Sequence, residues 1–289
     1  MQPVQLILVL SSLLLSAFPL QAAPPFKVLR VGDESPEGFS RIFSKRVDVF
    51  GIPVYATAAT PDIKVLHAAG VLAQYLDNDA DGEVDNQLVL RMMKKNKAAM
   101  VMAATERSFE RLDVHRFIPE RTWDNMILQG LYGEETVPGG IESGEGDASL
   151  EEVLHLITQA GYAYAYPPAL GERPGSQLAL AMDKARGGHF RRVPARYPPG
   201  AWYTYDDRSC DYGCQITEYI YWGLTSILGG QQYRGRLEDI QHEWRFNTAQ
   251  KVKQGDPALY KLLSDPKYKF PSRLPNGKYA PPAHSKSRP

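Results

Sequence analysis

Residues 149–161 read SLEEVLHLITQAG, and this stretch constrains the chain more tightly than any other. It reads as a helix that carries Glu151, Glu152 and His155 within five positions. Residues four apart share a helix face, so Glu151 and His155 point together into whatever cleft the fold builds there. Glu152 sits one residue round from Glu151 and three before His155. Asp147 or Ser149 supplies the cap, and both glutamates suit the positive end of the first turn.

A second helix gives this one a partner. Residues 213–228, GCQITEYIYWGLTSIL, read as a buried helix with a single acid, Glu218. Its neighbours Ile216, Tyr219, Ile220, Tyr221, Trp222 and Leu224 are surroundings in which a charge needs a counterpart. A metal ion is one such counterpart and an arginine is another.

The first helix has the layout of the HExxH zinc helix with glutamate in place of the first histidine. Glu151 and His155 are then helix ligands, Glu218 the third ligand and Glu152 the general base on a metal-bound water. In this order the chain resembles the gluzincin branch of the zincin metallopeptidases over residues 123–228. The resemblance implies a zincin-like fold, Zn²⁺ and peptidase chemistry. Tyr212 ahead of Glu218 is similar to the lethal-factor type, in which a tyrosine near the third ligand assists catalysis. Two carboxylates and one imidazole neutralise Zn²⁺ and leave a weaker Lewis acid than two imidazoles and one carboxylate. His189, in GGHF after a helix stop, offers an alternative imidazole with Glu151 standing behind it.

Residues 77–85, DNDADGEVD, place Asp77, Asp79 and Asp81 at positions 1, 3 and 5 of a DxDxDG pattern. Hard oxygen donors at alternate positions of a tight turn suit Ca²⁺, with the Glu83 carbonyl at position 7 and Asp85 at position 9. The pattern resembles the loops of EF-hands and dockerins. Leu88 stands where an EF-hand places its bidentate glutamate, which implies a weaker, structural site.

Around these motifs the chain reads as α+β: mainly helical, with a small sheet ahead of the metal-helix candidate. Residues 46–57 form a strand broken at 51–53, and a helix capped at 60–62 runs to Leu76 with His67 packed or solvated on it. A helix covers 87–95, residues 98–104 are a buried strand or continued helix, and 123–134 form a strand. Helices follow at 175–186, 237–246 and 258–263, with a Pro- and Tyr-rich loop at 193–207. The expected division is a signal peptide at 1–23, an α/β part with the calcium loop at 24–135, a mainly helical zincin-like part at 136–263, and a disordered tail at 264–289.

The apolar run of residues 4–18, ending in Pro19, Ala22 and Ala23, has the length and cleavage site of a signal peptide, so a secreted, extracellular protein is expected. No second run of about 18 apolar residues follows, hence no membrane span after cleavage. Cys210 and Cys214, the only two cysteines, suit one local disulfide in that compartment. Lys+Arg and Asp+Glu balance at 33 each, which gives no electrostatic case for nucleic acid. No GxSxG elbow, Walker loop or dinucleotide fingerprint is present, and a di-iron site lacks a second ExxH. Two functions compete: a calcium-stabilised metallohydrolase acting on peptide or protein outside the cell, and an inactive calcium-dependent binding or matrix protein on the same scaffold.

Overall fold

The computed structural model describes residues 25–282, so the expected signal peptide lies outside the described residues. The fold is α+β, built on one five-stranded mixed sheet: β1 (Leu29–Arg30), β2 (Lys45–Val49), β3 (Ile52–Ala56), β4 (Ala99–Ala103) and β5 (Leu128–Tyr132), in that spatial order. β1, β2 and β3 are antiparallel neighbours, whereas β3, β4 and β5 run parallel. The break at Gly51 is a two-residue hairpin with Phe50 and Gly51 at φ of 54° and 86°. Positive φ at both positions matches the strand twist, and glycine adopts it without Cβ strain.

Period-two alternation divides the sheet's side chains between two cores. Val54, Ala56, Met100, Met102 and Leu131 face the large core, which draws on both of the expected parts of the chain. Tyr55, Ala99 and Val101 face a smaller one with Phe39, Phe43 and Ile118. AMVMA of β4 is buried at every residue, as a central parallel strand must be. Residues 98–104 are thus strand, the pairing with two neighbours deciding what periodicity left open. The strand expected at 123–134 shortens to β5, because residues up to Trp123 close a helical turn that Pro119 begins.

Five helices position the chemistry: α1 (Asp62–Leu76), α2 (Gln87–Lys95), α3 (Ser149–Ile157), α4 (Gln177–Arg186) and α5 (Tyr212–Ile227). α3 packs on α1, β5 and α5 and continues as a π-helical turn at Thr158–Tyr162. That turn lies against α2, where a Cβ on Gly161 would meet Val89 Cγ1 at 2.6 Å. Leu150, Val153, Leu154, Leu156 and Ile157 are buried, each contributing about 1.5–3 kcal/mol by removal from water.

Residues 264–282 depart from the expected disordered tail. Tyr268 and Tyr279 are buried, and the segment binds the aspartate loop and α1 through a series of polar contacts. Asn78 Nδ2 donates to Arg273 O at 2.9 Å, Gly277 N to Gln74 Oε1 at 2.8 Å and Lys269 Nζ to Asp85 O at 2.7 Å. Polar, proline-rich composition suggested disorder. The segment is ordered because its few aromatic residues find a core and its backbone finds side-chain partners.

Candidate metal centre

α5 is held on several sides before it presents Glu218. Asp211 Oδ1 accepts from Cys214 N at 2.9 Å as its cap, and the Cys210–Cys214 disulfide spans the first turn. Arg186 of α4 is fully buried and donates to Gln215, to Asp183 at 2.7 Å and to Phe190 O at 3.1 Å. Tyr203 Oη donates to Gln215 O at 2.7 Å. α3 is held from its start by Asp147, whose Oδ1 accepts from Ser149 N at 3.2 Å and from Val137 N at 3.1 Å. The other Asp147 oxygen pairs with His67 Nε2 at 2.7 Å, so His67 is a buried strut between α1 and the loop before α3.

Where α3 meets α5, ligand atoms of Glu151, His155 and Glu218 lie within 4.8 Å of one another. His155 Nε2 faces Glu218 Oε2 at 3.5 Å, and both atoms are buried with no hydrogen-bond partner. Two buried polar atoms without partners, set within a group of donor atoms, form a place where a cation could be held. A His/Glu/Glu set suits Zn²⁺ by ligand type. Tyr221, three residues after Glu218 on the same face, packs edge-on to His155 with centroids 5.9 Å apart, and its Oη accepts from Gln231 Nε2 at 3.2 Å. Burial is the main force on Glu151, opposed by the His155 charge and reinforced by Glu218 and Glu152, and it lifts the carboxyl to about 8. For His155, burial disfavours the cation, but Glu218 and Glu152 outweigh it and raise the imidazole well above its usual range.

Glu152 stands on the opposite side of the ring. Its Oε2 lies 3.5 Å from His155 Nδ1 and accepts a hydrogen bond from Gln129 of β5. It is outside the converging group, in the position of a carboxylate that orients a ligand histidine. Of the two adjacent glutamates it is Glu151 that stands with the ligand atoms.

Tyr212 and His189 are also placed elsewhere. Tyr212 Oη donates to Asp183 Oδ2 at 3.0 Å, and His189 Nδ1 meets the same oxygen at 2.8 Å. Six residues along a helix amount to about 9 Å of rise and a change of face, so Tyr212 cannot share the side of α5 that Glu218 occupies. Besides Tyr221, the tyrosine near the group is Tyr205 of the preceding loop, close enough for Glu218 and Glu151 to act on its phenol. Burial, then Glu218 and Glu151, push its phenol far up, so it remains a proton donor. Nothing local marks Tyr205, a loop residue; Tyr221 was readable as the i+3 neighbour of Glu218 on a buried helix.

In the second cluster Asp77, Asp79 and Asp81 bring carboxylate oxygens within 4.8 Å of one another. Gly82 N donates to Asp77 Oδ2 at 2.8 Å and Glu83 N to Asp81 Oδ1 at 2.8 Å. Asp85 is drawn to the closure of the loop, its Oδ2 accepting from Asn78 N at 2.8 Å. Tyr279 Oη reaches in from the C-terminal segment to Asp77 Oδ2 at 2.5 Å.

No described helix is long and apolar enough to cross a membrane. Comparison with protein-family models, with curated proteins and with solved structures finds no match to the chain.

Proposed function

We propose that the chain is a secreted, zincin-like metallohydrolase acting on peptide or protein substrates outside the cell. The observation that carries this reading is the convergence of Glu151, His155 and Glu218 around two buried, unpartnered ligand atoms. A Zn²⁺ held there supplies Lewis-acid activation of water and carbonyl. The chain's own residues set the rest. Glu152 and Gln129 fix the ring orientation of His155, Tyr221 packs against that ring, and Tyr205 stands as a donor toward developing negative charge. Tyr205 thereby takes the role that the lethal-factor resemblance implied for Tyr212. Ca²⁺ at Asp77, Asp79 and Asp81 would brace the loop between α1 and α2. The disulfide and the apolar start of the sequence support the extracellular setting.

One observation favours the second reading, an inactive calcium-dependent binding protein. Glu152 is tied to the far side of His155 and does not join the ligand group. Elemental analysis of the purified protein beside His155→Ala and Glu218→Ala tests the metal. Bound zinc in wild type alone is expected, and equal zinc in all three sinks the proposal. A peptide library then separates the readings: cleavage by zinc-loaded wild type supports the hydrolase, and its absence with zinc bound supports the binding protein.

A further inference from the structure

A cavity of about 470 Å³, within the range of small-ligand sites, lies against the π-helical turn that continues α3. Its lining includes Ile127, Gln159, Tyr164, Pro167, Glu172 and Arg173. Gln159 is one helical turn beyond His155, Ile127 leads into the strand whose Gln129 holds Glu152, and Thr217 on the Glu172 side adjoins Glu218. The cavity is thus linked to the ligand group through Glu172, which bonds the neighbour of Glu218 and feels the His155 charge, while none of the three ligand residues lines it.

Glu172 sets its chemistry. Thr217 Oγ1 donates to Glu172 Oε1 at 2.9 Å, and no described lysine, arginine or histidine forms an ion pair with this carboxylate. Burial, eased by Thr217 and His155, lifts the carboxyl to about 7. A half-buried carboxylate without an ion-paired partner of its own suits a cationic ligand group. The walls suit the rest of a basic side chain. Ile127, Pro167 and the ring of Tyr164 offer apolar surface to a methylene stem, as such stems require. Arg173 also lines the cavity, is exposed and makes no ion pair with Glu172, so the wall carries one acid and one base and the Arg173→Ala variant separates their effects.

We propose that this cavity is a subsite for a cationic side chain of the arginine or lysine class, recognised by Glu172. It rests on the hydrolase reading only in naming the substrate class, peptides with a basic residue beside the scissile bond. Binding can be read without the metal. The test uses the full chain in chelator, with N-acetyl-arginine amide, its uncharged citrulline counterpart and N-acetyl-glutamate amide titrated by calorimetry. The arginine probe should bind about tenfold or more tighter than citrulline. Glu172→Gln, which keeps the Thr217 hydrogen bond, should erase that difference at an unchanged melting temperature, and Arg173→Ala should keep it. Equal binding of arginine and citrulline, tighter binding of the glutamate probe, or a preference that survives Glu172→Gln overturns the proposal. If Glu172→Gln does not fold, loss of the preference in Arg173→Ala overturns it and retention upholds it. Arginine binding without cleavage of any peptide by the zinc-loaded chain upholds the subsite and removes the hydrolase.

Discussion

His155 Nε2 and Glu218 Oε2 face each other at 3.5 Å inside the protein, and neither has a hydrogen-bond partner. They come from helices 63 residues apart in sequence terms, α3 and α5, brought together by packing. The arrangement without metal is an ion-paired His⁺ and carboxylate, and a cation held by both would take the place of the proton. His155→Ala therefore leaves the Glu218 charge buried and unpaired, which costs about 3–5 kcal/mol. Urea unfolding in chelator should show that loss; zinc should raise the melting temperature of wild type, and Glu218→Gln should abolish that rise.

Glu152 acts through the far nitrogen of His155. Glu152→Ala should keep zinc but weaken it by about 10–100-fold, the usual effect of removing the partner of a ligand histidine. Competition against a zinc-binding dye measures it. Unchanged affinity would return Glu152 to the general-base role that the sequence assigned.

The C-terminal segment closes on the aspartate loop through Tyr279. Tyr279→Phe removes a buried hydrogen bond to a carboxylate and should destabilise the protein by about 1.5–3 kcal/mol. Calcium should raise the melting temperature of wild type, and Asp79→Asn should shrink that rise. A thermal scan with and without calcium reads both effects.

Glu243, in the cavity of about 200 Å³ that Tyr205 also lines, has its carboxyl lifted to about 7. Burial is the main cause; the His242 charge opposes it, and Asp206 and Glu218 add to it. A carboxyl raised on folding binds its proton more tightly in the native state. Its share of stability is therefore complete below pH about 4.5 and is lost as pH rises through about 7. Glu243→Gln should gain stability relative to wild type between urea melts at pH 5 and pH 8. A constant difference across that range would show that Glu243 does not titrate there.

Local chemistry along the sequence was enough for the α+β class, for α1, α2, α4 and α5 within a residue or two, for α3 together with its π-helical continuation, and for the pairing of Cys210 with Cys214. It also placed Glu151 and His155 on one face, since four residues along a helix fix that geometry whatever surrounds it. The choice of Glu218 followed from an acid on an otherwise apolar helix, a burial argument that packing upheld. What surrounds these atoms was decided by contacts between distant segments. Asp183 occupies both Tyr212 and His189, a loop delivers Tyr205 to Glu218, and β5 supplies Gln129 to Glu152. The C-terminal residues looked disordered because their composition is polar, yet Tyr279 gains order from a carboxylate 202 positions away. Periodicity and capping act over a few residues, so they fix each helix and its facing side; which side chains then meet is set by tertiary packing, on which those local signals are silent.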